Sequence, residues 1–243
     1  MKNKKWLAFS IAATLLSLGY PYSYVNAATS SQIKVEGTND AFNDLDVDFN
    51  GYQQAAVTAV NNGELTLSGS NKVVNSNGNW GAASHGIAAQ GNGTVILSEG
   101  SDTSVVTKGN VSHGVYADSG GTVVSNGSLN IETQFNDWSE SHGLAADNGK
   151  IILGSGSETV ITTSGPGAHG VYAANGGDIT GAGSLDITTN SAYAYGLMAK
   201  ADGKITLTGD SGVKIQTNAD GAHSIYASGG EINVGGGVNA ITQ

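Results

Sequence analysis

The nine residues His169-Gly170-Val171-Tyr172-Ala173-Ala174-Asn175-Gly176-Gly177 return along the chain with small changes. His113-Gly114-Val115-Tyr116-Ala117 is a near copy. His85-Gly86-Ile87, His142-Gly143-Leu144, Tyr195-Gly196-Leu197 and His223-Ser224-Ile225 open looser ones. Ala55-Ala56-Val57 is a degenerate first copy in which alanines replace the His-Gly pair. Successive copies stand 30, 28, 29, 27, 26 and 28 residues apart. A fixed period in the twenties is the signature of a stacked-repeat architecture, and it restricts the chain more than any other feature.

Each copy holds three short runs that alternate apolar and polar residues, separated by turn residues. In the fifth these are Val171-Tyr172-Ala173, Asp178-Ile179-Thr180 and Ser184-Leu185-Asp186-Ile187-Thr188. Between them lie Asn175-Gly176-Gly177 and Gly181-Ala182-Gly183, with Asn190-Ser191 closing the copy. Period-two alternation marks strands, and Gly, Asn, Asp and Ser supply the corners. Three strands and three turns in ~28 residues leave no room for a helix.

Aligned copies separate inside from outside. The first inward position reads Val57, Ile87, Val115, Leu144, Val171, Leu197, Ile225, with alanine two residues later each time. The second run contributes Leu65, Val95, Val123, Ile151, Ile179, Ile205, Ile232. One coil cannot bury such a face alone, whereas stacked coils share a continuous core. The expected fold is all-β: a parallel β-helix of about seven three-strand coils, roughly 34 Å long at strand spacing. Right-handedness follows from the general preference of parallel crossovers.

Residues 28–54 break the pattern. Ile33-Lys34-Val35 and Leu45-Asp46-Val47-Asp48-Phe49 still alternate, and the segment is read as an N-terminal cap over the repeats at 55–243. The sequence stops in what looks like the third run of a coil, Val238 to Gln243, so the repeat domain is expected to be truncated.

Residues 1–27 read as a signal peptide. Lys2, Lys4 and Lys5 precede an apolar run from Trp6 to Leu18, and Val25-Asn26-Ala27 places small residues at a cleavage site. Export to the cell surface, the medium or the periplasm is expected. Removing the leader leaves seven lysines against 20 carboxylates, a net charge of −13. So acidic a surface repels nucleic acid and anionic lipid, and no membrane insertion by this chain is expected. Cysteine and arginine are both absent. That removes disulfides, thiolate metal sites and guanidinium forks for anions.

A leader followed by Gly- and Asn-rich coils, with phrases such as His113-Gly114-Val115-Tyr116-Ala117 and Gly93-Thr94-Val95-Ile96-Leu97-Ser98, resembles the passenger domains of Gram-negative autotransporters, the pertactin-like adhesin group. The resemblance runs from about residue 28 to the end. It implies a β-helical passenger displayed on, or shed from, the outer surface and engaged in adhesion or cell contact. The family's C-terminal outer-membrane β-barrel has no counterpart in this sequence.

Several stretches invite a chemical reading. Gly209-Asp210-Ser211-Gly212 matches the phrase around the nucleophile of chymotrypsin-like proteases. It falls where other copies have corners such as Gly69-Ser70-Asn71 and Gly100-Ser101-Asp102, and the turn reading is preferred. Asp46-Val47-Asp48-Phe49-Asn50-Gly51 copies half a calcium loop, but the twelfth position is Val57 in place of a bidentate Glu. The strand reading prevails there.

All five histidines occupy one repeat position, and stacking would put His85, His113, His142 and His169 in a file, with Tyr195 interrupting it before His223. A pH-sensitive ladder is one reading, since neighbouring imidazoles that charge below about pH 6.5 repel. A corner role, hydrogen-bonding backbone, is preferred over metal binding, because a file offers two ligands where a site needs three or four. No catalytic, cofactor or metal residues are assigned. Tyr116, Tyr172, Met198 and Tyr226 share an outward position: cross-strand stacking is the preferred reading of this row, and a candidate binding stripe the alternative. Trp80 and Trp138 lie in longer corners and are candidate loop contacts.

The residues thus point to a non-catalytic rod that binds a cell-surface protein or glycan, with self-association as a further contact. The alternatives are a purely structural stalk and a polysaccharide-cleaving β-helix enzyme. The enzyme needs carboxylates and a basic residue clustered on one sheet, and here the carboxylates are scattered over turns.

Overall fold

The computed structural model describes residues 28–81, 83–135, 137–138, 140–209 and 212–243. The leader at 1–27 and the Asp210-Ser211 pair lie outside the described residues. Every regular element among them is a strand, and the strands form three parallel sheets wound into a β-solenoid. One sheet of eight strands runs from Ile33–Glu36 to Ile225–Ser228 and carries the first run of every coil. A second sheet of eight runs from Asn39–Asn43 to Glu231–Val234. The third, of nine, runs from Ala28–Thr29 to Val238–Thr242.

The fifth coil shows how sequence becomes tube. Its strands are Val171–Ala174, Asp178–Gly181 and Ser184–Thr189. They pair in register with the next coil: Val171 with Leu197, Ile179 with Ile205, Ile187 with Ile215. Identical registers stack the inward side chains into columns, and all six of these residues are fully or almost fully buried. The first corner turns through Asn175 and Gly176 at φ 52° and 79°, the left-handed conformation that Asn and Gly tolerate best.

The segment read as a cap contributes to all three sheets. Ile33–Glu36 pairs with Val57–Val60, Asn39–Asn43 with Glu64–Ser68, and Asp46–Phe49 with the strand Ser70–Asn75. Asn39–Asn43 is a strand the residue pattern did not announce. Its polar residues pair because the neighbouring strand offers a parallel edge, not because they form an apolar face of their own.

Glycine after histidine is a packing requirement. A Cβ on Gly170 would fall inside van der Waals distance of Ile187 Cγ2 and stand 2.8 Å from the Gly196 carbonyl oxygen. The last coil departs from the rule consistently: Ser224 replaces glycine, and Ala240 stands in register with Ile215, where earlier coils place Val or Ile. Gly170→Ala is therefore expected to destabilise the protein by about 1–3 kcal/mol through overpacking. A matching fall in the urea midpoint at unchanged m-value would report it, and an unchanged midpoint would show that the column yields freely.

Candidate functional site

The corner between the third run of one coil and the first run of the next carries the histidines. Its inner support is a column of polar residues at the ends of the third strands. Thr107 Oγ1 donates to the Ser112 carbonyl at 2.7 Å, Thr163 Oγ1 to Ala168 at 2.7 Å, and Thr189 Oγ1 to Ala194 at 2.9 Å. Each carbonyl belongs to the residue just before a His or Tyr of the file. Asn75 does the same work in the first coil, its amide donating to Gln54 O and His85 O. The corner is thereby held from within, and the rings that follow it are placed over the outer face of the first-run sheet.

Along the file, each imidazole accepts a backbone hydrogen bond from the coil that follows. His113 N–H donates to His85 Nδ1 at 3.1 Å, and His142 N–H to His113 Nδ1 at 3.1 Å. His169 N–H donates to His142 Nδ1 at 3.0 Å, and Tyr195 N–H to His169 Nδ1 at 2.9 Å. An acceptor at Nδ1 fixes the neutral ring with its proton on Nε2. The imidazole thus acts as a substitute carbonyl in the ladder, and the corner role expected from the sequence takes this specific form.

The rings also stack. Centroids of His85, His113, His142 and His169 are 4.9, 5.0 and 4.8 Å apart in sequence, with planes within 9°. Tyr195 does not interrupt the stack: its ring lies 4.9 Å from His169 at 5° and 5.3 Å from His223. A phenol ring fills the same slot as an imidazole, so ring stacking continues where the Nδ1 acceptor chain stops. Burial depresses the pKa values of His85, His113, His142 and His169. His85 and His169 fall to about 4, and His113 and His142 lie well below the ordinary value. Loss of hydration is the largest cause. The neighbouring imidazoles add to it for His113 and His142, and the Lys200 charge adds to it for His142 and His169.

The tyrosine stripe is placed differently from a simple outward row. Tyr116 leans over His85 and His113, with centroids 4.4 and 5.1 Å away, and Tyr172 covers His142 at 4.3 Å. Both phenols are half-buried, and their pKa values are raised, first by burial and then by nearby acids that include Asp147 in each case. Met198 is only 8% exposed, Ala145 separates Tyr116 from Tyr172, and Tyr226 at the last coil is 38% exposed. The four side chains therefore make no continuous open surface. The physical reason is the overhang of the histidine corner, which covers the outer face of this one sheet.

Open aromatic surface lies further out on the same corner. Trp80 and Trp138 are each 61% exposed, and Tyr193 is also exposed. Trp80 meets Phe135 edge to face at 5.6 Å, and Trp138 stacks on Tyr193 at 5.8 Å and 22°. Asn110 ties these loops together: its Oδ1 accepts from Gly81 N–H at 3.3 Å and its amide donates to Trp138 O at 2.9 Å. Trp80 and Trp138 were visible in the sequence as loop residues. Phe135 and Tyr193 were not singled out, since nothing in the repeat alignment pairs them with the tryptophans.

Three parallel sheets, with an imidazole file bonded along one corner, define a parallel β-solenoid as the class of protein. The chain matches no family model, no curated protein and no solved structure. Among the described residues no helix is long and apolar enough to cross a membrane.

Proposed function

We propose that the protein is a non-catalytic, exported β-helical rod that makes adhesive contacts at the cell surface, in the manner of the autotransporter passengers it resembles. The observation that carries this reading is the aromatic corner of exposed Trp80, Trp138 and Tyr193 with half-buried Phe135, spread over alternate coils, with Asn110 tying the Trp80 and Trp138 loops together. Large aromatics are the residues that dominate recognition surfaces, because they offer much contact area at small entropic cost. The most conspicuous polar array, the histidine file, is engaged in holding coils together through Nδ1, which favours a structural over a catalytic part for it. The partner is a cell-surface protein or glycan.

The test is adhesion of the purified chain to cultured cells and to bacterial surfaces, with the double variant Trp80→Ala/Trp138→Ala beside it. Both side chains are mostly exposed, so the melting temperature is expected to move little. Binding is expected to fall at least tenfold, the effect of losing about 1.4 kcal/mol of contact. Equal binding by the double variant, or none by the unsubstituted chain, would overturn the reading.

A further inference from the structure

The file of rings has a beginning, and a cavity lies there. In the first coil Ala55 stands where the later coils carry His, so the outer face of the His85 ring has no ring below it. At the outward position of the first-run strand, Thr58 and Ala88 are small, and Tyr116 in the coil after them is large. The result is a step in the surface: a hollow of about 450 Å³ lined by Gln53, Gln54, Gln90, Asp118, His85 and Tyr116, with Thr58 among its small residues. That volume falls within the range of small-molecule sites. Thr58 is 4% exposed and its hydroxyl is bonded to no protein group.

We infer that this hollow is a binding site for a neutral saccharide, one or two pyranose rings in size. The lining favours that class on three counts. The amides of Gln53, Gln54 and Gln90 and the Asp118 carboxylate supply donors and acceptors that suit hydroxyl groups, while the fourth glutamine of the lining, Gln32, donates its amide to the Ala55 carbonyl. The half-buried Tyr116 ring, tilted over the buried His85 with centroids 4.4 Å apart, presents an aromatic wall to the C–H face of a sugar. Among the described residues the lining holds one cation, Lys34, which is paired with Glu36 at 2.7 Å, so none of them is left free for a carboxylate or phosphate. The chain has no arginine and a net charge of −10, so anionic sugars meet repulsion. The site deepens the adhesive reading by naming a ligand class, and it rests on that reading only for its biological setting, since the aromatic corner at Trp80 and Trp138 is a separate surface.

The decisive variant is Ala55→His. It installs the ring that other coils carry at this position, so it fills the hollow with a side chain the solenoid already accommodates. Saturation-transfer NMR against glucose, galactose, N-acetylglucosamine and their β-linked dimers, with sialic acid as the anionic comparison, reads binding directly. Expected are contacts to at least one neutral sugar with a Kd of about 1 mM or tighter, none to sialic acid, and a loss of at least tenfold in both Ala55→His and Gln53→Ala/Gln90→Ala. Tyr226→Ala, at the far end of the file, should bind as the parent does. Absence of binding by the parent to every neutral sugar, or equal binding by a folded Ala55→His protein, overturns the site. Should Ala55→His fail to fold, the glutamine double variant decides alone. Cell adhesion separates the two proposals. Adhesion by a parent chain that binds no neutral sugar leaves the rod reading standing without the site, and sugar binding without adhesion leaves the site without the rod reading.

Discussion

Acidification from pH 7.5 to pH 5 is expected to lower the melting temperature by about 10 °C or more, with the histidine corner opening first. Burial depresses the folded-state pKa of His85 and His169 to about 4, from an ordinary 6.5 in the unfolded chain. The folded protein therefore binds fewer protons than the unfolded one between those two values. Stability is fully present above pH 6.5 and is lost as pH falls toward and through 4, since the unfolded state gains protons that the folded state refuses. At pH 5 each of these two rings costs about 2 kcal/mol. His113 and His142 lie well below their ordinary value too and act in the same direction, so the loss exceeds the about 4 kcal/mol of the first two rings, a large share of the stability of a typical domain. Geometry gives the same direction. A proton added at Nδ1 ends its role as acceptor and turns a backbone hydrogen bond of about 3 Å into a facing pair of donors. Thermal unfolding across this range measures the effect, and imidazole nitrogen shifts should show the Nε2–H tautomer up to the onset of unfolding. A melting temperature flat from pH 7.5 to 5 would mean that the rings charge without leaving their places.

Much of this architecture could be read from residues alone, because a solenoid writes its core as columns. Val171, Ile179 and Ile187 recur at fixed offsets, and the strands they announce differ from the observed ones by single residues at their ends. The strand Asn39–Asn43 escaped because it has no such signature: its place in the sheet comes from its neighbour's edge. The site was less legible, for a different reason. Alternation says which side chains leave the tube but not what lies above them, and the overhang that half-buries Tyr116 and seals Met198 comes from the path of a corner. The sequence also aligns His85, His113, His142 and His169 without saying that each Nδ1 replaces a carbonyl. Tyr195 misled for a related reason. It lacks the acceptor and so reads as a break, whereas the slot selects for a flat ring and keeps the stack intact.

That separation of ring from acceptor leads to the second large effect, at His142 in the middle of the file. Two contributions hold this residue: a ring stacked at 5.0 Å on His113, 4.8 Å on His169 and 4.3 Å on Tyr172, and an Nδ1 that accepts the His169 N–H at 3.0 Å. His142→Ala removes both. It leaves a cavity where a buried ring stood and orphans a buried N–H, so a loss of about 3–5 kcal/mol is expected. His142→Tyr keeps a flat ring, which the Tyr195 position shows the slot to accept, and removes only the acceptor. Its expected loss is about 1–3 kcal/mol, the cost of a buried donor without a partner. The two variants should agree on acid, however. Each deletes one depressed imidazole from a coupled row, so each should show a shallower decline in stability between pH 6.5 and 5 than the parent. Equal destabilisation by Ala and Tyr would assign the stability to the hydrogen bond alone. A Tyr variant as stable as the parent would assign it to stacking, and would leave the Nδ1 ladder as a consequence of the coil spacing and not one of its causes.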